Sequence, residues 1–223
     1  MKIIITGAKG ILGKQIYNDL QSQGMELIEL DLALGHNLTD EKFVSETMRH
    51  TKADVLINCF AINDHISQSR KSTSFLDFPI EKFKSTMDVN VVALFSVCRE
   101  FIRFNDGGII INFSSIYGFK SPRPSFYGGQ DKDPAYGPSK AAVSNLTKYL
   151  ALHAPKFRIN CVVPGGVENN QDDEFKIKYC KDLPTGRLMK RSEISGIIRF
   201  LISDDSSYCT GSDFFIDGGW NAR

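Results

Sequence analysis

Short apolar runs alternate with longer amphipathic stretches along the chain. Several runs are apolar almost throughout, which is typical of strands buried on both faces of a sheet. They occupy Lys2–Thr6, Glu26–Asp31, Asp54–Asn58, Gly108–Ser114, Arg158–Val163 and Phe214–Asp217. Helix-length stretches lie between them, at Leu12–Gln23, Asp40–Thr51, Pro79–Asn105, Ala135–Ala154 and Ser192–Ser203. This alternation predicts an α/β fold with a doubly wound parallel sheet and right-handed crossovers.

Three segments depart from this alternation. Gly118–Pro134 is dense in Pro, Gly and Ser, and Pro164–Arg191 is a second long irregular stretch. Loops of this length in a compact domain are usually functional, so we expect substrate-lid segments at about residues 118–134 and 166–191. Only Leu32–Asn37 separates the second strand from the next helical stretch. This crossover is shorter than usual, and we expect one region of the sheet to be less covered.

Composition excludes several classes of partner. The chain has 223 residues and a net charge of +1, from 27 Lys and Arg against 26 Asp and Glu. This length fits a single domain spanning residues 1–223, and the balanced charge predicts no binding of nucleic acid or of a membrane surface. No apolar run approaches the roughly 20 residues of a membrane helix. The first strand leads straight into Thr6-Gly7 without a signal peptide, so we expect a cytoplasmic protein.

The cysteines and histidines do not form a ligand pattern. The four histidines are dispersed, and the cysteines include no CxxC pair. We therefore expect reduced core thiols and no metal site. The cysteines are Cys59, Cys98, Cys161, Cys180 and Cys209.

A glycine-rich turn follows the first predicted strand. Glycines at such a position allow a tight turn, close approach of the backbone to a pyrophosphate, and packing of the next helix on the sheet. The helix N-terminus then offers free N–H groups to the phosphates. The segment therefore predicts a dinucleotide-binding turn. Its predicted cofactor-binding residues are Gly7, Lys9, Gly10, Ile11, Leu12 and Gly13.

The charged residues near this turn indicate which dinucleotide binds. Asp31 ends the second predicted strand, where a carboxylate accepts hydrogen bonds from both ribose hydroxyls of NAD and repels the 2′-phosphate of NADP. Lys9 has the opposite tendency, because a lysine in the turn could pair with that phosphate or remain a solvated loop residue. We expect NAD, with NADP as the alternative.

Tyr136 and Lys140 stand four residues apart at the start of a predicted helix. Positions i and i+4 share a helix face, so the phenol and the ammonium can address one ligand. Free tyrosine has a pKa of about 10, and a fixed cation nearby favours its phenolate. Upstream, Ser114 and Ser115 end a predicted strand at the sheet edge where such folds bind ligands. A serine hydroxyl there can hydrogen-bond a substrate oxygen while the tyrosine moves its proton.

Further segments match a family pattern in the same order. They are Asn58-Cys59-Phe60-Ala61, Val89-Asn90-Val91-Val92, Pro164-Gly165-Gly166-Val167, Ser206-Ser207-Tyr208-Cys209-Thr210-Gly211 and Asp217-Gly218-Gly219. With the glycine turn and the Tyr-Lys pair, the chain resembles the short-chain dehydrogenase/reductase family over nearly its whole length. The resemblance implies a Rossmann fold and NAD(P)-dependent oxidoreduction.

The resemblance also implies a role for each matching residue. Tyr136 would be the general acid/base, and Ser115 would orient and polarise the substrate oxygen. Lys140 would lower the pKa of Tyr136 and bind the nicotinamide ribose, while Asn90 would anchor a proton-relay water. The family places its serine three residues before a glycine, which selects Ser115 over Ser114. Tyr136 is also implied to contact the cofactor, and the other implied cofactor-binding residues are Asn37 beside the adenine, Asn58, Ala61, Pro164, Gly165 and Val167.

The chain departs from the family pattern at several positions. The glycine spacing is common in the extended branch, but 223 residues are too few for that branch's substrate domain. Cys59-Phe60-Ala61 replaces the usual NAG, and Asn169 stands where a threonine is frequent. The insert between Ser115 and Tyr136 is also unusually long.

The two lid segments resemble short-chain enzymes of bacterial surface-sugar loci, which serve flagellin modification and nonulosonic-acid-type sugars. Their polar side chains suit a polyhydroxylated substrate, and the alternative is a solvated lid without direct contacts. The polar residues are Arg123, Gln130, Asn169, Asn170 and Gln171. Four cations either bind a sugar phosphate or lie on a solvated helix face. They are Lys176, Lys178, Lys181 and Arg187.

These observations predict an enzyme that interconverts a secondary alcohol and a carbonyl on a sugar or amino-sugar derivative. A nucleotide-sugar epimerase or dehydratase and a non-catalytic dinucleotide-binding regulator are the alternatives. The regulator is disfavoured because both Tyr136 and Lys140 are present. The family resemblance also implies a homotetramer or homodimer, packed through Pro79–Asn105 and Ala135–Ala154.

Overall fold

Six parallel strands form the centre of the fold, in the order β2-β1-β3-β4-β5-β6. The structure is a computed structural model that describes residues 1–63 and 74–222. The strands are Lys2–Thr6 (β1), Glu26–Leu30 (β2), Val55–Asn58 (β3), Gly108–Phe113 (β4), Phe157–Pro164 (β5) and Asp213–Ile216 (β6). All five pairings are parallel, so the prediction of a parallel α/β sheet is confirmed.

Helices cover both faces of this sheet. They are Ile11–Ser22 (α1), Glu41–His50 (α2), Ile80–Met87 (α3), Leu94–Phe104 (α4), Tyr136–His153 (α5), Asp173–Lys181 (α6) and Ile194–Ile202 (α7). Successive strand residues face opposite sides, so Ile4 packs with α2, α4 and α5, whereas Ile3 and Ile5 pack with α1 and α7. Burial on both faces explains the continuous apolar runs.

The crossover after β2 is short, as the sequence predicts. Asp31 accepts a hydrogen bond from Ala33 N and caps a 3-10 turn over Leu32–Leu34. Asp40 then caps α2, whose first residue is Glu41. Because no further strand is added here, β2 lies at the edge of the sheet, and Leu32 beside it is 74 % exposed.

The predicted helix over Pro79–Asn105 contains a change of helix type. A π-helical stretch, Asp88–Ala93, lies between α3 and α4. It carries Asn90, which is buried although polar. Such stretches are rare in helices and frequently occur at functional sites.

The two predicted lid segments pack against each other. Arg123 of the first segment forms an ion pair of 2.6 Å with Asp182, which follows α6. Phe126 lies against Tyr179 and Trp220, with ring centroids 5.8 and 5.7 Å away. The second segment is less irregular than the sequence predicts, because it contains the nine residues of α6.

Three of the four cations singled out in this second segment form local ion pairs. Lys178 pairs with Glu174 at 2.6 Å, Lys176 lies 3.7 Å from Asp173, and Arg187 pairs with Glu193 at 2.7 Å. These contacts favour a solvated helix face over a sugar-phosphate site. Within the described residues, no helix is long and apolar enough to cross a bilayer. Those residues also contain no group of three or more His, Cys, Asp or Glu placed to hold a metal ion.

Candidate active site

The glycine turn connects β1 to α1, and the surrounding backbone leaves no room for a side chain at Gly7 or at Gly13. Gly7 has φ +68°, and a Cβ there would lie 2.5 Å from Phe60 N. A Cβ on Gly13 would lie 2.1 Å from Gly7 O. Gly10 is the N-cap of α1 and contributes no side-chain cap, so the first-turn N–H groups of this 12-residue helix are available to an anion. The turn, with Lys9, Ile11 and Leu12 in it, therefore fits a pyrophosphate.

Asp31 stands at the carboxyl end of β2, beside this turn. Its Oδ2 accepts a hydrogen bond from Lys9 N and its Oδ1 accepts one from Ala33 N, both at 2.8 Å. The carboxylate is therefore fixed next to the predicted pyrophosphate position, with lone pairs left for ribose hydroxyls. Asn37 is exposed, and its Oδ1 accepts hydrogen bonds from Thr39 N and Oγ1.

Asn58 belongs to a buried chain of side-chain hydrogen bonds across the sheet. Its Oδ1 accepts from Thr6 Oγ1, and its Nδ2 donates to Asn112 Oδ1, each at 2.9 Å. Asn112 Nδ2 in turn donates to Thr147 Oγ1 at 3.0 Å. The side chain of Asn58 thus holds β1, β3 and β4 together, whereas the predicted Ala61 is exposed beyond the end of β3.

Asn90 ties the π-helical stretch to the loop after β3. It accepts a hydrogen bond from Ile62 N at 2.7 Å and donates to Ile62 O at 3.0 Å. It also donates to Ser139 Oγ on α5 at 3.0 Å. Since Ser139 directly precedes Lys140, Asn90 helps to position both the loop and the helix that carries the Tyr-Lys pair.

Tyr136 lies at the start of α5 and is 9 % exposed. Burial raises its pKa, and a hydrogen bond with Ser115 opposes that rise. Ser114 is engaged elsewhere, because its Oγ donates to Lys140 O at 2.7 Å. The fold thus brings Ser115 and Tyr136 together despite the long insert between them, and leaves Ser114 in a buried backbone contact.

Lys140 is 4 % exposed and lies one helical turn after Tyr136. Its Nζ donates to Phe113 O at 2.8 Å and lies 5.9 Å from the centre of the Tyr136 ring. Burial lowers the pKa of Lys140 from 10.5 to about 8. A buried ammonium at this place provides the positive charge that a phenolate at Tyr136 requires.

The Pro-Gly turn follows β5 at the same edge of the sheet. Gly165 N donates to Ile216 O at 2.9 Å, and a Cβ on Gly165 would lie 2.9 Å from Asp217 Cα. Pro164 ends β5, and Val167 forms an isolated bridge with Met189. The structure therefore places Pro164 and Gly165 beside β6 at the carboxyl end of β5, and Val167 beside Met189.

Several predicted lid side chains are engaged within the protein. Asn169 Oδ1 accepts from Arg191 at 2.8 Å. Gln171 Nε2 donates to Val167 O at 2.7 Å, and Arg123 holds Asp182. These three residues stabilise the predicted lid segments through internal hydrogen bonds. Fewer polar side chains are therefore available to a substrate than the sequence predicts.

Lys132 is a residue near the site that the sequence analysis did not single out. It is 9 % exposed, and its Nζ donates to Asn63 Oδ1 at 3.0 Å. The Nζ also lies 5.5 Å from the Tyr136 ring centre, 6.0 Å from that of Tyr117 and 5.8 Å from that of Tyr127. The contacts join residues distant in sequence, and no local pattern predicts them.

A phenol beside a serine hydroxyl and a buried ammonium can exchange a proton with a substrate oxygen. The glycine turn and Asp31 fit a dinucleotide at the same edge of the sheet. A model of the family described as Enoyl-(Acyl carrier protein) reductase matches residues 2–221. The chain belongs to the short-chain dehydrogenase/reductase family. Members of this family are NAD(P)-dependent oxidoreductases, so the chain is an enzyme of that class.

Curated relatives and solved structures agree with this assignment. An uncharacterised short-chain type dehydrogenase/reductase of Sinorhizobium fredii is 28 % identical over 98 % of this chain, which spans only 43 % of that protein. A 2-dehydro-3-deoxy-D-gluconate 5-dehydrogenase of Dickeya dadantii is 28 % identical, covering 98 % of this chain and 86 % of that one. Post-translational flagellin modification protein A of Campylobacter coli is 26 % identical, covering 98 % and 97 %. A short-chain dehydrogenase of Leptospira borgpetersenii with bound NAD+ has a TM-score of 0.85 and 28 % identity, covering 98 % and 92 %.

Proposed function

We propose that this enzyme interconverts a secondary alcohol and a carbonyl on a sugar or amino-sugar derivative. The observation that best supports this proposal is the contact between the Tyr136 phenol and Ser115, with the buried Lys140 ammonium one helical turn away. A nicotinamide cofactor, held by the glycine turn and Asp31, would donate or accept the hydride, which amino-acid side chains cannot do.

The side chains would divide the remaining work. Ser115 hydrogen-bonds the substrate oxygen and orients it toward Tyr136. In the oxidative direction the alcohol gives its proton to the Tyr136 oxygen, and in the reductive direction Tyr136 returns it. Lys140 stabilises the phenolate and binds the nicotinamide ribose, while Asn90 anchors the water that relays the proton to solvent. Burial around Tyr136 and Lys140 strengthens these interactions by excluding water.

The sugar assignment rests on two kinds of support. The relatives include a protein named as a dehydrogenase of a deoxy-gluconate derivative and one named for flagellin modification. Asn170 of the second lid segment is exposed and is a candidate for binding a polyhydroxylated substrate. A substrate of this kind is a small polar molecule.

Self-association through α4 and α5 is a further part of the proposal. These helices expose large apolar or aromatic side chains that single domains normally bury, and an oligomer would cover them. They include Phe95, Tyr149 and Leu152, which are 37 %, 55 % and 81 % exposed.

A substrate panel tests the proposal. The purified chain is incubated with NAD or NADP and with aldoses, uronates, amino sugars, a steroid alcohol and a hydroxyacyl thioester, and absorbance at 340 nm is followed. Turnover confined to the sugar-type compounds is the expected result. Turnover confined to the steroid or the thioester would contradict the substrate class. Sugar conversion without net absorbance change would instead favour the epimerase or dehydratase alternative.

A further inference from the structure

A third charged residue, Glu29, lies beside the two groups that bear on the selection between NAD and NADP. The sequence places two opposing groups near the ribose, Asp31 and Lys9, and does not show which one prevails. In the structure the Lys9 Nζ forms an ion pair with Glu29, two residues before Asp31 on β2. Glu29 and Asp31 point to the same side of the strand because side chains alternate with a period of two.

The ion pair holds Lys9 within the protein. The Glu29 side chain is 21 % exposed and that of Lys9 is 42 % exposed, so this contact lies at the rim of the site. The hydrogen bond with Glu29 raises the pKa of Lys9, as expected for an ammonium paired with a carboxylate. The Lys9 Nζ also lies 5.8 Å from the centre of the Tyr17 ring.

The neighbouring loop offers no lysine or arginine that could replace Lys9. Residues 31–40, between β2 and α2, contain neither lysine nor arginine. A 2′-phosphate at this position would therefore meet the carboxylates of Asp31 and Glu29, and Lys9, the lysine of the turn, could pair with it only by leaving Glu29. The 2′-hydroxyl of NAD has no such requirement and can donate to Asp31.

We propose that Glu29 is a positioning residue for cofactor selection: by holding Lys9, it disables the one cation of the turn that would favour NADP. The proposal rests on the dinucleotide site of the proposed function but not on the substrate. On this proposal, removing the Glu29 carboxylate would release Lys9 beside the ribose position and would raise the affinity for NADP.

The test measures the Kd of NADH and of NADPH by fluorescence titration, at low and at moderate ionic strength. The wild type is expected to bind NADH more tightly. Glu29→Gln is expected to raise NADPH affinity about 10-fold, the effect of one charge-assisted hydrogen bond, and to change NADH affinity less than about threefold. The gain should shrink at the higher ionic strength, because an exposed lysine–phosphate pair is screened.

Two variants separate this mechanism from a general change of charge. Glu26→Gln removes a carboxylate from the same strand, where Glu26 pairs with Lys2 at 3.1 Å, and should leave the NADPH affinity unchanged. The double variant that combines Glu29→Gln with Lys9→Met should lose the gain in NADPH affinity that Glu29→Gln shows alone. An equal gain from Glu26→Gln, or a gain that persists without Lys9, would overturn the proposal.

Glu29→Ala, which removes the same carboxylate, keeps the test decisive if Glu29→Gln fails to fold. It should raise the affinity for NADPH about as much as Glu29→Gln, because Lys9 is released in both variants. An unchanged or lower NADPH affinity in a folded Glu29 variant would overturn the proposal. Failure to bind either cofactor would instead refute the dinucleotide site itself, whereas a wrong substrate class would leave these titrations unchanged.

Discussion

Replacing Lys140 by methionine should change how the stability of the cofactor-free protein depends on pH. Lys140 is 4 % exposed and makes one hydrogen bond through its Nζ, to Phe113 O. Burial lowers its pKa from 10.5 to about 8. Methionine fills a similar volume without the charge, so the substitution removes the titration with little change in packing.

The magnitude follows from linkage between protonation and folding. Below pH 8 the lysine is charged in both states, and the folded protein bears the full cost of burying the ammonium. Between pH 8 and 10.5 the folded protein releases the proton while the unfolded chain retains it, so the free energy of unfolding rises with pH. For one group with these two pKa values, the rise from pH 7 to 9.5 is about 2 kcal/mol.

The assay is urea unfolding of the wild type and of Lys140→Met at several pH values between 7 and 9.5. Groups that do not interact with Lys140 ionise alike in both proteins, so their contributions cancel in the difference. Cys59 and Cys161 do interact with the Lys140 charge, but burial raises the pKa of each thiol to about 12, so both stay protonated over this range. We expect the variant to be the more stable protein at pH 7 and its advantage to shrink by about 2 kcal/mol at pH 9.5. A constant difference across this range would refute the depressed pKa of Lys140.

Three further substitutions test separate parts of the account. Ser115→Ala should reduce turnover about 100-fold without weakening NADH binding, measured by steady-state kinetics and titration, because the substrate oxygen loses a hydrogen-bond donor. Gly13→Ala should abolish tight NADH binding and lower the free energy of unfolding by about 1–3 kcal/mol, measured by titration and urea unfolding, since the new Cβ would displace the turn. Leu152→Glu should reduce the mass measured by light scattering to that of a monomer, because a buried interface excludes an unpaired carboxylate.

Each of these substitutions has a matched control. Ser114→Ala should alter turnover less than about threefold and mainly affect stability, because Ser114 donates to the backbone of α5. Gly196→Ala should preserve binding and stability, since a Cβ there meets nothing within 4 Å. Leu76 is about as exposed as Leu152, at 79 %, but lies outside α4 and α5, so Leu76→Glu should leave the mass measured by light scattering unchanged. A variant that behaves like its control would contradict the corresponding role.

The strands could be predicted from the sequence because burial on both faces requires continuous apolar runs. Helix α6 is less predictable: it carries charges at most positions, and Tyr179 is its only residue that the structure buries fully. The π-helical stretch around Asn90 has no local signal. Its conformation depends on the contacts of Asn90 with Ile62 and Ser139, which join three segments distant in sequence.

The same distinction between local patterns and contacts of distant segments applies to the candidate site. The spacing of Tyr136 and Lys140 and the glycines of the turn are local patterns, so the sequence could indicate them. The ion pair of Glu29 with Lys9 and the position of Lys132 among three tyrosine rings arise only when separate strands and loops meet. The sequence therefore indicates the type of chemistry, while the groups that tune it require the fold.

In the proposed reaction Tyr136 exchanges the proton, while other residues provide most of the binding energy for the dinucleotide. The most direct measurement compares wild type, Tyr136→Phe and Tyr149→Phe, using turnover of a substrate from the panel and the Kd of NADH. We expect Tyr136→Phe to lose about 10²–10⁴-fold in kcat and to bind NADH as the wild type does, whereas Tyr149→Phe, an exposed phenol on the same helix, retains both. Turnover by Tyr136→Phe within about tenfold of the wild type would contradict the account.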